Sequence, residues 1–196
     1  MMIRRFAVLA LMLPLAGCIS FGAKPPPALM SLSAATPVAA GTTRTTSDEK
    51  SVAVNIPTVQ PALATQRVMV QDGPNSVAYV PKALWAGSPA LLFRNLLAET
   101  ITAKTGRFVP DQRATGLQPD LRVSGQLVQF GVDAPARQAV VIFDGVLAHA
   151  GSTTLQTRRF EAHAPIAAVN EGDVAAGVNQ AANQVAADVA AWVGAN

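Results

Sequence analysis

The sequence predicts an α/β (α+β) fold: a single domain with a mixed, largely antiparallel sheet covered by two main helices. Several short runs alternate apolar with polar residues and are separated by Gly, Pro and Asn turns, which is the pattern of β-strands. Two longer segments instead carry apolar residues at helical spacing, and one of them closes the chain. The region that holds these elements has about 145 residues, which is enough to bury a core.

The first 17 residues have a composition of their own. They combine a basic start, an apolar run of about ten residues and a small-residue end, which is the layout of a secretory signal peptide. The run is too short to cross a bilayer as a helix, which takes about 20 residues. Its end, Leu-Ala-Gly-Cys, resembles the lipobox of bacterial lipoproteins and implies cleavage before Cys18 with covalent lipid on that cysteine. The alternatives are an ordinary signal peptide in which the cysteine stands by chance, and a buried apolar segment.

Residues 18–50 are predicted to form a flexible tether. A triple proline at 25–27 stiffens its start, and the remainder is rich in Ala, Thr and Ser without periodicity. Part of it, residues 28–33, is an alternative edge strand. Cleavage of the signal also removes Arg4 and Arg5, which leaves 13 basic and 12 acidic side chains. This near-neutral balance gives no indication of a nucleic-acid partner.

Three strands open the predicted domain, residues 51–196. They lie at 52–56, 66–70 and 77–80, where Val, Ile, Met and Tyr are concentrated. The Asp-Gly-Pro-Asn sequence at 72–75 is a strong turn signal, and it predicts that the second and third strands form a hairpin.

Local signals define the first helix. Ser88 is placed as its N-cap, Pro89 stands at the first helical position, and Gly106 is placed as the C-cap. Together they predict a helix over residues 89–105. A short strand at 108–110 follows.

The remaining elements are three long strands and a second helix. Strands at 121–132, 139–148 and 154–164 follow one another with short turns, which predicts an antiparallel meander. The closing segment, 173–193, repeats Val and Ala at helical spacing and predicts a helix that covers one face of the sheet.

Signals for catalysis or metal binding are weak. His149 and His163 stand on adjacent predicted strands, but two histidines without a carboxylate or thiol pattern fit a solvated sheet face better than a metal site. The S-x-x-K motif at Ser47 and the K-T-G motif at Lys104 match penicillin-recognising enzymes, yet they fall in the tether and at a helix end. We therefore expect no enzymatic activity, no metal and no cofactor apart from the lipid on Cys18.

A cluster of aromatic residues is the main candidate for binding. Tyr79, Trp85 and Phe93 stand close together in a chain with only 5% aromatic residues. Exposed aromatic side chains often anchor interfaces. For Trp85 a surface contact and a core position both stay open, whereas Phe93 is expected in the core.

These patterns resemble the ABC-type transport auxiliary lipoproteins, which include the paraquat-inducible and Mce-associated lipoproteins of Gram-negative bacteria. The matching features are a strand that ends in Pro57, Arg67 ahead of an aliphatic strand core, a strand with Tyr79, and Trp85 before a Leu-rich helix. The resemblance covers residues 51–196 and the lipobox. Of the family's Leu-Asp-Arg sequence before the second strand, only the arginine is kept.

The resemblance implies a non-enzymatic auxiliary component of an Mce-type ABC transport system that moves lipids or other hydrophobic compounds across the envelope. Its partners would be an Mce-domain protein and the ABC permease and ATPase, with Arg67, Tyr79 and Trp85 as candidate contacts. Ile19 and Ser20 directly follow Cys18 and neither is acidic, which resembles sorting to the outer membrane, facing the periplasm. Two alternatives stay open: a periplasmic carrier of lipids or small molecules, and a structural envelope lipoprotein. The oligomeric state also stays open, a homo-oligomer included.

Overall fold

A computed structural model describes residues 28–43, 45, 47, 51–111 and 116–196. Cys18 and the signal peptide predicted for residues 1–17 lie outside the described residues, so their predictions stay predictions. The same holds for residues 18–27, 44, 46 and 48–50 of the predicted tether.

The described residues form a seven-stranded sheet and two α-helices, and a 3-10 turn at Pro61–Leu63 precedes the third strand. The elements in chain order are β1 (Val52–Val54), β2 (Thr58–Val59), β3 (Arg67–Gly73), β4 (Ser76–Leu84), α1 (Pro89–Thr105), β5 (Leu121–Asp133), β6 (Gln138–His149), β7 (Leu155–Pro165) and α2 (Glu171–Gly194).

Strand β5 is the centre of the sheet. On one side it pairs antiparallel with β6, which in turn pairs antiparallel with β7. On its other side β1, β2 and β3 pair with it one after another, all in parallel. Strand β4 pairs antiparallel with β3 and forms the edge of the sheet opposite β7. The predicted hairpin, the meander and the mixed, largely antiparallel sheet are thus confirmed.

Helix α1 has the predicted bounds and caps. The Ser88 side chain accepts a hydrogen bond from the Leu91 backbone N–H, and Pro89 occupies the first turn. Gly106 ends the helix in the left-handed region, at φ 73°, where a residue without Cβ is favoured. Helix α2 is capped by Asn170, whose side chain accepts from the Asp173 N–H.

The core lies between the sheet and the two helices, which also pack against each other. A connected series of aromatic rings runs through it, with centroid separations between 5.1 and 6.4 Å. Its members in order of contact are Trp85, Phe130, Phe93, Phe143, Phe160 and Trp192. Offset and edge-to-face ring contacts of this kind stabilise a core beyond the area that they bury.

Trp85 belongs to this core, so the surface alternative for its side chain is wrong. Only 1% of the residue is exposed, and its ring lies 5.1 Å from that of Phe130. Its backbone N–H donates to the Gln66 carbonyl at 2.7 Å, which ties the end of β4 to the start of β3. The indole Nε1 has no hydrogen-bond partner among the described residues.

The predicted tether, residues 18–50, is partly folded onto the domain. Met30 is 4% exposed, its N–H donates to the Leu84 carbonyl, and its carbonyl accepts from the Ala86 N–H, both at 2.8 Å. These two bonds form a parallel bridge between Met30 and Trp85. The folded unit therefore begins near Met30, ahead of the predicted boundary at residue 51, and the edge-strand alternative for 28–33 is partly right.

Two smaller differences concern strands. The strand predicted at 108–110 is a single parallel bridge between Phe108 and Ser51. Strand β4 is longer than predicted and contains a bulge, because Arg67 pairs with Leu84 whereas Met69 pairs with Tyr79.

Candidate docking surface

The two faces of the sheet have different surroundings at the β3–β4 hairpin. Val70 shares the helix-covered face with Val132, its partner on β5. Met69 points to the opposite, outer face, where it is only 1% exposed and has Tyr79 as its partner on β4. Because side chains alternate along a strand, Arg67 lies on the outer face as well. The hairpin therefore presents a cation and a ring on the side away from both helices.

Arg67 and Tyr79 are in direct contact there. The Arg67 guanidinium carbon lies 4.0 Å from the centroid of the Tyr79 ring, which is a cation–π geometry. The Tyr79 hydroxyl donates to the Ala62 carbonyl of the 3-10 turn at 3.4 Å. Arg67 is exposed and Tyr79 is half-buried, so the ring is fixed by the domain while the guanidinium remains accessible to a partner.

An exposed apolar side chain completes this surface. Val77 is 46% exposed and, two residues before Tyr79 on β4, lies on the same outer face. We call Arg67, Val77 and Tyr79 the hairpin patch. Arg and Tyr are among the residue types that most often dominate interface energetics, and a neighbouring aliphatic side chain offers apolar area to bury.

The three predicted contact residues thus have different positions. Arg67 and Tyr79 are brought together on the surface, whereas Trp85 lies beside them in the sheet with its side chain in the core. Trp85 acts on the patch only as support, through its backbone bond to Gln66 next to Arg67. Val77 was not predicted as a contact, although its alternation with Tyr79 along one strand was a signal for it.

The two histidines are kept apart by the meander. His163 pairs with Val140 near the start of β6, whereas His149 ends that strand and pairs with Leu121. His163 contacts Glu161 at 2.8 Å, and His149 is 4.0 Å from Asp120. Among the described residues there is no group of three His, Cys, Asp or Glu side chains that could hold a metal ion.

A bidentate ion pair on the outer face joins β6 to β7. Arg159 donates from Nε and Nη2 to the two carboxylate oxygens of Asp144, both at 2.7 Å. These hydrogen bonds, with a smaller attraction between the charges, lower the pKa of Asp144 below its usual range. Both side chains are substantially exposed, so solvent screens the pair and its contribution to stability is small.

The titration of the Asp144 carboxyl tests whether this ion pair forms in solution. A lowered carboxyl pKa stabilises the fold above the pKa of the unfolded chain and loses that effect as the pH falls through the folded pKa. We expect the Asp144 carboxyl carbon to titrate below the range of an ordinary aspartate in NMR spectra. In Arg159→Ala the midpoint should move up towards that range, and an identical midpoint in both proteins would rule out the pair in solution.

The grooves between α1 and α2 are lined mainly by polar and small side chains. One has a volume of about 300 Å³ and includes Thr100, Asn179 and Asn183, and the next, of about 510 Å³, includes Arg107 and Ala190. Neither is lined by the large aliphatic and aromatic side chains that enclose a lipid chain.

Comparison with solved structures shows the same fold in two other proteins. One is a crystal structure of an uncharacterized protein, with a TM-score of 0.64 and 17% identity over 85% of this chain and 99% of the other. The second is from Xanthomonas campestris, in a family of unknown function (DUF330), with a TM-score of 0.70 and 16% identity over 85% and 94% of the two chains. Comparison with functionally curated proteins gives no significant match.

The family is defined by a sequence model. A model described as the ABC-type transport auxiliary lipoprotein component matches residues 31–190, most of the chain. The chain belongs to this family of ABC-type transport auxiliary lipoproteins. The match begins next to Met30, where the folded unit begins in the structure. No helix in the described part of the chain has both the length and the hydropathy needed to cross a membrane.

Proposed function

We propose that this protein is the outer-membrane-anchored, non-enzymatic auxiliary lipoprotein of an Mce-type ABC transport system. The system moves lipids or other hydrophobic compounds across the Gram-negative envelope, and this component faces the periplasm. Membership in the auxiliary lipoprotein family supports the proposal. The single observation that carries the docking role is the hairpin patch, in which the exposed Arg67 guanidinium lies against the half-buried Tyr79 ring.

The proposed mechanism is mechanical rather than chemical. Lipid on Cys18 holds the chain at the membrane, and the domain docks on the Mce-domain protein of the transporter. Anchoring raises the effective concentration of the domain near its partner without any additional contact area. Each buried CH2 of an acyl chain is worth about 0.8 kcal/mol, so several chains make release rare.

The patch has the chemistry for a specific protein contact. The Arg67 guanidinium can donate to a carboxylate or a backbone carbonyl of the partner while it stays stacked on Tyr79. The stack limits the rotamers of the arginine in the unbound domain, so less side-chain entropy is lost on docking. Val77 adds apolar area at the rim.

Affinity purification from native membranes in mild detergent tests the docking role. We expect the wild-type protein to recover an Mce-domain protein or the ABC permease, identified by mass spectrometry. Loss of two interface anchors in Arg67→Ala/Tyr79→Ala should weaken the complex by about 2 kcal/mol or more, which is about 30-fold in Kd.

Arg122→Ala is the matched control, because Arg122 is an exposed arginine elsewhere on the same sheet. It should recover the transporter at the wild-type level. Equal recovery with the double variant would show that the patch is not the contact. Stoichiometric lipid on the protein without any transporter component would instead favour the carrier alternative.

A further inference from the structure

The N-terminal segment is fastened to the domain in two places. We call residues 29–36 the strap. Its first fastening is Met30, which is buried and bonded to the backbone at Leu84 and Ala86, as described above. Its second fastening lies on α2, where two asparagine side chains bind the strap through its backbone.

The asparagines match the repeat of an extended chain. The Ser33 N–H donates to Asn179 Oδ1 at 3.0 Å, and the Ala35 N–H donates to Asn183 Oδ1 at 2.7 Å. Asn183 Nδ2 also donates back to the Ser33 carbonyl at 2.9 Å. Residues four apart on a helix are about 6 Å apart along its axis, which is close to the rise of about 6.6 Å for two residues of a strand. The next donor in the series would be residue 37, a proline, which has no N–H.

These bonds determine how much chain separates the membrane from the domain. If the domain were fastened only at residue 51, the tether after Cys18 could extend to about 115 Å at most. Fastened at Met30, the same tether reaches about 40 Å at most. We propose that the strap sets how far the domain can stand from its lipid anchor. Asn179 and Asn183 are positioning residues that keep the strap, C-terminal to Met30, bound to α2. The inference rests on the proposed lipidation of Cys18.

Insertions on either side of the strap test this directly. Ten Gly/Ser residues are inserted after Ala23 in one variant and after Thr43 in the other, in the full-length acylated protein. Thr153→Cys in the exposed β6–β7 turn carries a donor dye, since Cys18 is the sole native cysteine. Energy transfer to an acceptor lipid is measured in nanodiscs of phosphatidylethanolamine and phosphatidylglycerol.

If the strap is bound to the domain, the two insertions change the distance from the membrane by different amounts. The one after Ala23 should increase the mean distance from the membrane by about 7 Å, from the square-root growth of a flexible chain. The one after Thr43 should leave it unchanged. Equal increases in the two variants would overturn the proposal, because they would show that the whole segment acts as a single tether.

Releasing the strap from the domain should remove this difference between the effects of the two insertions. In Met30→Ser/Asn179→Ala/Asn183→Ala we expect the two insertions to have equal effects. Gln180→Ala/Gln184→Ala is the matched control, since these amides stand one residue further along α2 and do not bind the strap. It should keep the wild-type difference, and thermal unfolding confirms that each variant is folded.

Hydrogen exchange tests the binding of the strap to α2 independently of the lipid anchor. Asn179→Ala/Asn183→Ala should speed amide exchange at residues 31–36 by about tenfold, as expected for the loss of these hydrogen bonds. This readout needs neither lipid nor a transport partner. Unchanged exchange would contradict the strap itself, whereas normal protection of a protein that does not bind nanodiscs would contradict only the lipid anchorage.

Discussion

Trp85→Ala is expected to lower the free energy of unfolding by about 3–5 kcal/mol, the range for removing a fully buried large aromatic side chain. The ring is enclosed by the core and contacts Phe130, and the surrounding strands cannot collapse into the volume that it leaves. Urea unfolding can be followed by the fluorescence of Trp192, the second tryptophan of the chain.

The same variant separates a core position from a docking contact. Because the Trp85 side chain is not on the surface, the folded fraction of Trp85→Ala should bind its transport partner with unchanged affinity. Trp85→Phe should lose clearly less stability than Trp85→Ala, since it keeps a ring and removes an N–H that has no partner among the described residues. A stable Trp85→Ala protein that fails to dock would contradict the core assignment.

Gly131→Ala is expected to destabilise the domain by about 3 kcal/mol, at the upper end of the usual cost of overpacking. A Cβ on Gly131 would stand 2.1 Å from the Met69 carbonyl oxygen and 3.0 Å from its carbon. Since these are backbone atoms, no rotamer change relieves the clash, and β3 must move away from β5. The hairpin patch would move with β3, so docking should weaken as well.

Gly172→Ala is the control for this prediction. The added Cβ would meet nothing nearer than 3.7 Å, and it lies in the first turn of α2, where alanine is the better helix former. Its stability should stay unchanged or rise by up to about 1 kcal/mol. Thermal denaturation compares the two variants, and equal midpoints would show that the β3–β5 pairing tolerates the extra atom.

Elements whose signals are local could be predicted from the sequence. Helix α1 has the predicted bounds because Ser88, Pro89 and Gly106 define its two ends without help from the rest of the fold. The meander was predictable for the same reason, since each strand alternates and each turn has its own turn residues. The parallel pairing of β1, β2 and β3 along β5 could not be predicted, because the sequence of a strand does not specify which other strand it pairs with.

The position of Trp85 depended on a bulge. In a regular strand Tyr79 and Trp85, six residues apart, would share one face. Between them the pairing with β3 shifts, and Lys82 has a φ of 64°, a left-handed conformation that is uncommon outside glycine. Leu84 consequently takes the outer position opposite Arg67, and Trp85 turns into the core. A one-residue change of alternation cannot be read from a sequence in which several residues could form the bulge.

The strap was predicted only in part, as the alternative edge strand at 28–33, for a different reason. Its composition is that of a tether, and its stability comes from partners more than 50 residues away at the end of β4 and about 150 residues away on α2. Asn179 and Asn183 read as ordinary polar residues of an exposed helix face. Their function as backbone ligands becomes visible only when the extended segment lies beside them.

Photo-crosslinking from the hairpin patch tests the docking role most directly. A benzophenone amino acid replaces Tyr79 in one strain and Arg122 in another, and living cells are irradiated before mass spectrometry. The proposal predicts an adduct between position 79 and an Mce-domain protein or ABC permease, with none from position 122. Adducts of position 79 only with proteins unrelated to transport, or transporter adducts from position 122 alone, would contradict it.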